Sequence, residues 1–337
     1  MKTSVFSLLL LFPVLLSAQA LPAAKPAAPA AKKVPPAVKA VPPEPQPQPP
    51  APYDRPDIPG YCIFGAQSGK PFDSEAAFKT VVWKSDVVYI GEDRGRAKDH
   101  LAQLEALKSM KIARGSKIAV GFAMISSTLQ PVLDDYAAGR ITEEEFLAGT
   151  EREKGSGFDF NLYKPLFDLL ITSKLRALAL DVPPGIVSKI AREGLTGLDA
   201  GERKLLPEQV NITKHKKYLE YLKTAFGGQA NNPMTAMLGW DNYLASISAR
   251  NEGMGAKVAD FINANPGWSV LVVTGNEHII YNASVPASVK SRTAKVRQAS
   301  FYTEYADKCP AALPKEHKDR ANYLWYIGPS VPAKAKP

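Results

Sequence analysis

Three side chains stand directly after apolar runs, where an α/β protein does its chemistry. Glu92 closes Val87-Val88-Tyr89-Ile90-Gly91, Asp181 closes Ala177-Leu178-Ala179-Leu180, and His278 ends the turn Gly275-Asn276-Glu277-His278 behind Ser269–Thr274. Carboxylates and imidazoles move protons or hold cations near neutral pH. His100 follows Glu92 on a helical stretch, and Trp240-Asp241 opens or interrupts a later helix. Glu92 and Asp181 read either as acid–base or ligand groups, or as partners for the amides of the helix that follows. His100 and His278 read either as ligand groups in one crevice or as caps of backbone groups. Trp240 reads as core or as a ligand platform, and Asp241 as a group pointing into the crevice. His215 and His317 lie in basic, polar surroundings that suggest solvation.

Several chemistries find no support. There is no Gly-x-x-x-x-Gly-Lys loop, no Gly-x-Gly-x-x-Gly after a strand and no Gly-x-Ser-x-Gly elbow. Cys62 and Cys309 are the two cysteines, too few for a thiolate cage or an iron–sulfur centre. In an oxidising compartment they form either a disulfide between the two ends of one domain or two unpaired thiols.

The elements that must position these groups alternate. Runs 87–90, 118–125, 177–182, 269–274, 296–302 and 323–327 read as strands, and helical spacing fills most gaps, as at Leu101, Leu104 and Leu107. Thr142-Glu143-Glu144-Glu145 fits a capping box. Continuous apolar strands between helices indicate an α/β fold, a mainly parallel sheet with helices on both faces. Residues 185–265 carry no strand signal and should form an inserted helical lobe. Ligands of such sheets bind beyond the carboxyl ends of the strands.

Outside this domain, expected over 61–328, the sequence changes character. Lys2, the apolar run Val5–Leu16 and Ser17-Ala18-Gln19-Ala20 read as a signal peptide over 1–20. About half of the 29 prolines lie between Leu21 and Gly60, so 21–60 reads as a disordered tether. In polyproline II form, at about 3.1 Å per residue, it spans on the order of 100 Å. Residues 329–337 read as a disordered tail. The expected location is therefore the periplasm or cell envelope, with membrane contact only through an uncleaved N-terminal segment. A net charge of +9, densest at Lys214-His215-Lys216-Lys217, suits a solvated face. Export argues against a nucleic-acid partner, and no aromatic-and-basic RNA-binding pattern appears.

A set of motifs in fixed order resembles the ChaN-like haem-binding uptake family of the Tiki superfamily. They are Tyr89-Ile90-Gly91-Glu92 with His100, Leu129-Gln130-Pro131-Val132-Leu133-Asp134-x-Tyr136, and Gly157-Phe158-Asp159-Phe160-Asn161-Leu162-Tyr163-x-Pro165. Ala179-Leu180-Asp181-Val182-Pro183-x-x-Ile186-Val187, Trp240-Asp241 and Gly275-Asn276-x-His278 complete the set. The resemblance implies an α/β core with a helical lobe, export, and haem binding in iron acquisition, with dimerisation possible because a flat haem can be shared between subunits. Members are often lipoproteins, and no cysteine lies near residue 20 here. Two positions depart from the family: Arg94 stands where a histidine is common, and Ala123 where a glutamate is common. Arginine is always protonated and does not replace an imidazole ligand, although it can pair with a carboxylate such as a haem propionate.

Three readings follow. The first is a non-catalytic haem-binding protein using Glu92, Arg94, His100, Asp181, Trp240, Asp241 and His278, with an axial ligand such as Tyr136, Tyr163 or Tyr281. The second is a metal-dependent hydrolase of the superfamily type, with Glu92, His100 and His278 as weak metal ligands. The third is an envelope interaction protein that keeps the fold without the ligand.

Overall fold

Seven strands form one sheet in the order β1-β7-β6-β2-β5-β3-β4 in a computed structural model. The residues described are 62–328 without 73–74, 94–95, 152–158, 229–237 and 294. The stretches read above as signal peptide, tether and tail, together with Arg94, lie outside them. The strands are β1 (Ile63–Gly65), β2 (Val87–Glu92), β3 (Ile118–Ser126), β4 (Arg176–Asp181), β5 (Ser269–Gly275), β6 (Gln298–Tyr305) and β7 (Tyr323–Ile327). All neighbours run parallel except β1, which pairs antiparallel with β7 through three residues. Three residues are too few to register as an apolar run, so β1 has no counterpart in the sequence reading.

Strand parity decides what each face meets. Val88 and Ile90 of β2, with Val120 and Phe122 of β3, face a core built by α1 (Glu75–Lys84), α2 (Ala97–Arg114), α3 (Gln130–Ala137), α4 (Glu143–Glu151) and α5 (Phe160–Thr172). Its centre is a stack of Tyr136 on Phe146, with Phe160 and Phe167 at their edges. Val87 and Tyr89 face the other way, onto α9 (Trp240–Ala264) and α10 (Val285–Arg292). Two glycines let α9 come close. A Cβ on Gly253 would meet the Val182 side chain at 2.4 Å, and one on Gly255 would meet Ser288 Oγ at 2.2 Å.

Between β4 and β5 the described residues hold helices α6 (Pro184–Glu193), α7 (Ala200–Arg203), α8 (Lys216–Gly228) and α9, and no strand. The stretch divides in two. Ala249 packs with Val182, Ile186 and Ile190 toward α6, whereas Met254, Val258 and Ala259 cover the sheet itself. Half of α9 is thus a layer of the core.

Local chemistry fixes several ends. Thr142 and Glu145 form the reciprocal cap: the Thr142 N–H donates to Glu145 Oε2 at 2.8 Å and the Glu145 N–H to Thr142 Oγ1 at 3.2 Å. On the outer edge strand β4, the Gln130 amide acts as a further strand, donating to the Ala177 carbonyl at 3.0 Å and accepting from the Ala179 N–H at 2.7 Å. That satisfies two groups a bare edge would leave open.

Cys62, just before β1, is disulfide-bonded to Cys309 in the β6–β7 connection, with Cα atoms 5.7 Å apart. The link secures a strand that has only three paired residues of its own. Replacing Cys62 with Ser is expected to lower unfolding stability by about 2–4 kcal/mol, measured by urea denaturation under non-reducing conditions.

Candidate functional site

Glu92 and Gly275 are paired neighbours at the carboxyl ends of β2 and β5. On the other side, β2 pairs with β6 only as far as Ile90–Phe301. Asn276 fills the gap. Its Nδ2 donates to the Thr303 carbonyl at 2.9 Å, and its Oδ1 accepts from the Thr303 N–H at 3.2 Å. Residue 91 must then be glycine, because a Cβ there would lie 2.1 Å from Asn276 Oδ1. Thr303 Oγ1 donates to Asp99 Oδ2 at 3.1 Å, which also accepts the Asp93 N–H at 2.7 Å. Burial pushes the Asp99 carboxyl up, against the pull of these bonds and of Arg96.

On the α2–α5 face, Glu92 is 3% exposed and both its oxygens accept hydrogen bonds. Tyr163 Oη of α5 donates to Oε1 at 2.5 Å, and Gln103 Nε2 of α2 donates to Oε2 at 2.7 Å. Gln103 Oε1 then faces His100 Nδ1 at 3.2 Å. The His100 ring lies edge-on to Tyr163, with centroids 4.3 Å apart, and its Nε2 is buried without a hydrogen-bond partner. Burial pushes the His100 imidazole down, against its bond to Gln103 and the charges of Asp99 and Asp159.

On the α9 face, His278 Nδ1 lies 2.7 Å from Asn251 Oδ1, Asn251 Nδ2 donates to Tyr218 Oη at 3.0 Å, and Tyr218 donates to the Glu277 carbonyl at 3.2 Å. Asp181 accepts both hydrogen bonds of the Arg250 fork, each 2.6 Å. Burial lowers the Arg250 pKa, but the bond and charge of Asp181 outweigh it and the net shift is upward. Trp240 begins α9, half-buried between Phe226, Tyr243 and Lys223. Asp241 is exposed on the same turn.

Residues 80–289 match the family of haem-binding uptake proteins of the Tiki superfamily, ChaN. The chain belongs to this family. Its fold is similar to that of ChaN from Campylobacter jejuni, solved with cofacial haem binding: 13% identity over 79% of this chain and 95% of that one, TM-score 0.58. Weaker similarities are to a mutant erythromycin esterase, EreC, in its open conformation (12% identity, 72% and 77% covered, TM-score 0.42) and to the type III effector HopBA1 (10% identity, 74% and 91% covered, TM-score 0.42). No curated protein matches the sequence.

In this ChaN-family chain the residues expected in one crevice divide between two faces of the sheet. Glu92 and His100 serve the α2–α5 face, while His278 and Asp181 are held by α9. The reason is parity: Glu92 shares the side of Val88 and Ile90, whereas the short helical turn Asn276–His278 carries His278 over to Asn251. Glu92, His100 and His278 therefore do not form the metal set considered from the sequence. Among the described residues no group of three His, Cys, Asp or Glu side chains could hold a metal ion. Of the tyrosines singled out as axial candidates, Tyr136 is spent in the core stack and Tyr281 stacks on His215. Tyr163 sits in the cluster. His317, expected in solvent, is half-buried with Nδ1 2.7 Å from Tyr326 Oη.

Gln103, Asn251, Tyr218 and Arg250 were not singled out by the sequence. Gln103 left a readable signal, being one helical turn beyond His100; the other three become neighbours only through tertiary packing.

Two outcomes follow. Folded His100 binds its proton less tightly than the unfolded chain, whose imidazole titrates near 6.5, so below that pH the unfolded state takes up more protons. Stability should be full above pH 7 and fall as pH drops through 6.5, and His100→Gln should flatten that slope in urea titrations at pH 7.5 and 5.5. Gly91→Ala should cost about 1–3 kcal/mol by overpacking, read as a lower thermal midpoint, and Asn276→Ala in the same chain should relieve part of the loss.

Proposed function

We propose that this protein binds haem at the carboxyl rim of its sheet, as a non-catalytic haem-uptake component of the cell envelope. The observation that carries the reading is membership of the haem-binding uptake family over a segment, 80–289, that includes Glu92, His100, Tyr163, Asp181 and His278.

The residues at the rim suit a haem in their chemistry. An axial ligand is commonly supplied by a histidine nitrogen or a tyrosine oxygen, and His100 Nε2 is a buried nitrogen without a hydrogen-bond partner. Tyr163, Trp240, Tyr243 and Phe226 supply aromatic surface beside the two polar clusters. A bound haem would supply an iron centre able to take a nitrogen or oxygen donor. The protein's own part is to orient the donor side chain, through Glu92 and Gln103, and to exclude water from it. Arg94 is our proposed partner for a propionate, by the bidentate pairing that guanidinium offers a carboxylate.

Titration of the purified full chain with ferric haem tests the reading. The expected result is a saturable Soret shift with a dissociation constant of about 1 μM or tighter, about −8 kcal/mol. The end point separates one haem per chain from a haem shared by two copies. A spectrum that stays that of free haem at all ratios contradicts it.

A further inference from the structure

Strands β2 to β6 run parallel, so their first residues line one rim, opposite the strand ends that carry Glu92 and Asp181. That rim is basic. Lys84 precedes β2, Lys117 precedes β3, Lys174 and Arg176 precede and open β4, and Lys295 and Arg297 precede β6; all six are exposed. In the links from helix to strand, 85–86, 115–117, 173–175, 265–268 and 293–297, Asp86 is the one carboxylate, and Arg297 Nη2 donates to it at 2.7 Å. Cations here complement the carboxyl ends of α1, α2 and α10, whose last turns carry Lys84, Arg114 and Arg292. That accounts for the charge but not for the apolar side chains set among it. Of the five large apolar side chains exposed among the described residues, Trp83 and Ile112 stand here together, 38% and 68% exposed. The Trp83 indole N–H donates to the Ser109 carbonyl of α2 at 2.8 Å, and Ile112 is one helical turn beyond Ser109. Arg114 donates in turn to the Trp83 carbonyl at 3.1 Å. Lys108 and Lys111, both exposed, are neighbours of Ile112 on α2.

We infer that this amino-end rim, centred on Trp83 and Ile112, is a docking surface for a bilayer rich in anionic phospholipid headgroups. Two properties of such a bilayer match two of the rim. Its negative surface potential attracts clustered lysine and arginine, and its headgroup layer is where indole rings settle. The Trp83 N–H is already satisfied by Ser109, so burying the ring among headgroups leaves no donor unpaired. The cations are spread over the starts of four strands rather than gathered around one cleft. That suits a flat, laterally mobile array of headgroups better than the fixed carboxylates of an acidic protein. Docked in this way, the strand ends bearing Glu92 and Asp181 point away from the bilayer. The contact belongs to the folded domain, is separate from the N-terminal segment and does not rest on the haem reading.

The test is amide hydrogen exchange of the full chain with and without vesicles. Vesicles of equal parts phosphatidylglycerol and phosphatidylethanolamine are compared with vesicles of phosphatidylcholine alone. The apolar run 5–16 can bring any variant to lipid, so the readout is local to the rim. Anionic vesicles should slow exchange several-fold at 80–86 and 110–117, and neutral ones should not. Salt at about 1 M, where the screening length is about 3 Å, should abolish the effect. Lys84→Glu with Lys111→Glu and Lys117→Glu should lose the protection at both segments while unfolding as cooperatively as wild type, since all three side chains are exposed. Ile112→Ser, a change at an exposed position, should weaken the protection without reversing any charge. Exchange left unchanged at both segments, as for a face that meets an acidic protein instead, overturns the inference. So does equal slowing by neutral vesicles, slowing confined to the basic stretch 212–217, or slowing that survives the charge reversal.

Discussion

A carboxylate at the end of a central strand, 3% exposed, is the constraint from which the site follows. Burying such a group is costly unless its oxygens are hydrogen-bonded. Glu92 meets that demand with donors from two of the helices on its face, Tyr163 of α5 and Gln103 of α2. The same contacts therefore tie β2, α2 and α5 together at the rim and leave little freedom to the groups that touch them. His100 inherits its orientation from Gln103, and its ring is braced by Tyr163.

The opposite face solves a similar problem with different residues. There the Asp181 carboxylate takes both arms of Arg250, and His278 leans on the Asn251 amide of α9, which in turn donates to the Tyr218 phenol of α8. Between the two faces, Asn276 replaces the missing rungs between β2 and β6. That accounts for two of the short motifs at once: Gly91 makes room for an amide oxygen, and Asn276 supplies it.

The layered α/β order was legible because Val87–Ile90, Ile118–Ile125 and Ser269–Thr274 are uninterrupted apolar strands, and such strands need helices on both faces. The polar strand ends were legible too, since Glu92 and Asp181 each directly close an apolar run. The side to which each points was not. A turn of three residues after β5 sends His278 to α9, and no periodicity records that. The 185–265 stretch read as a lobe because it lacks strands, yet Met254, Val258 and Ala259 cover the sheet; helical spacing alone does not say what a helix packs on. Asn251 and Arg250 escaped notice for the same reason: each is one polar residue on a long helix until His278 and Asp181 are brought to it.

The central claim concerns the place where iron is held, so diffraction data collected at the iron edge from haem-soaked crystals test it most directly. The account predicts one strong anomalous peak per bound haem, at the carboxyl rim of the sheet beside the ends of its central strands. A peak away from the strand ends, or no peak from fully soaked crystals, would contradict it.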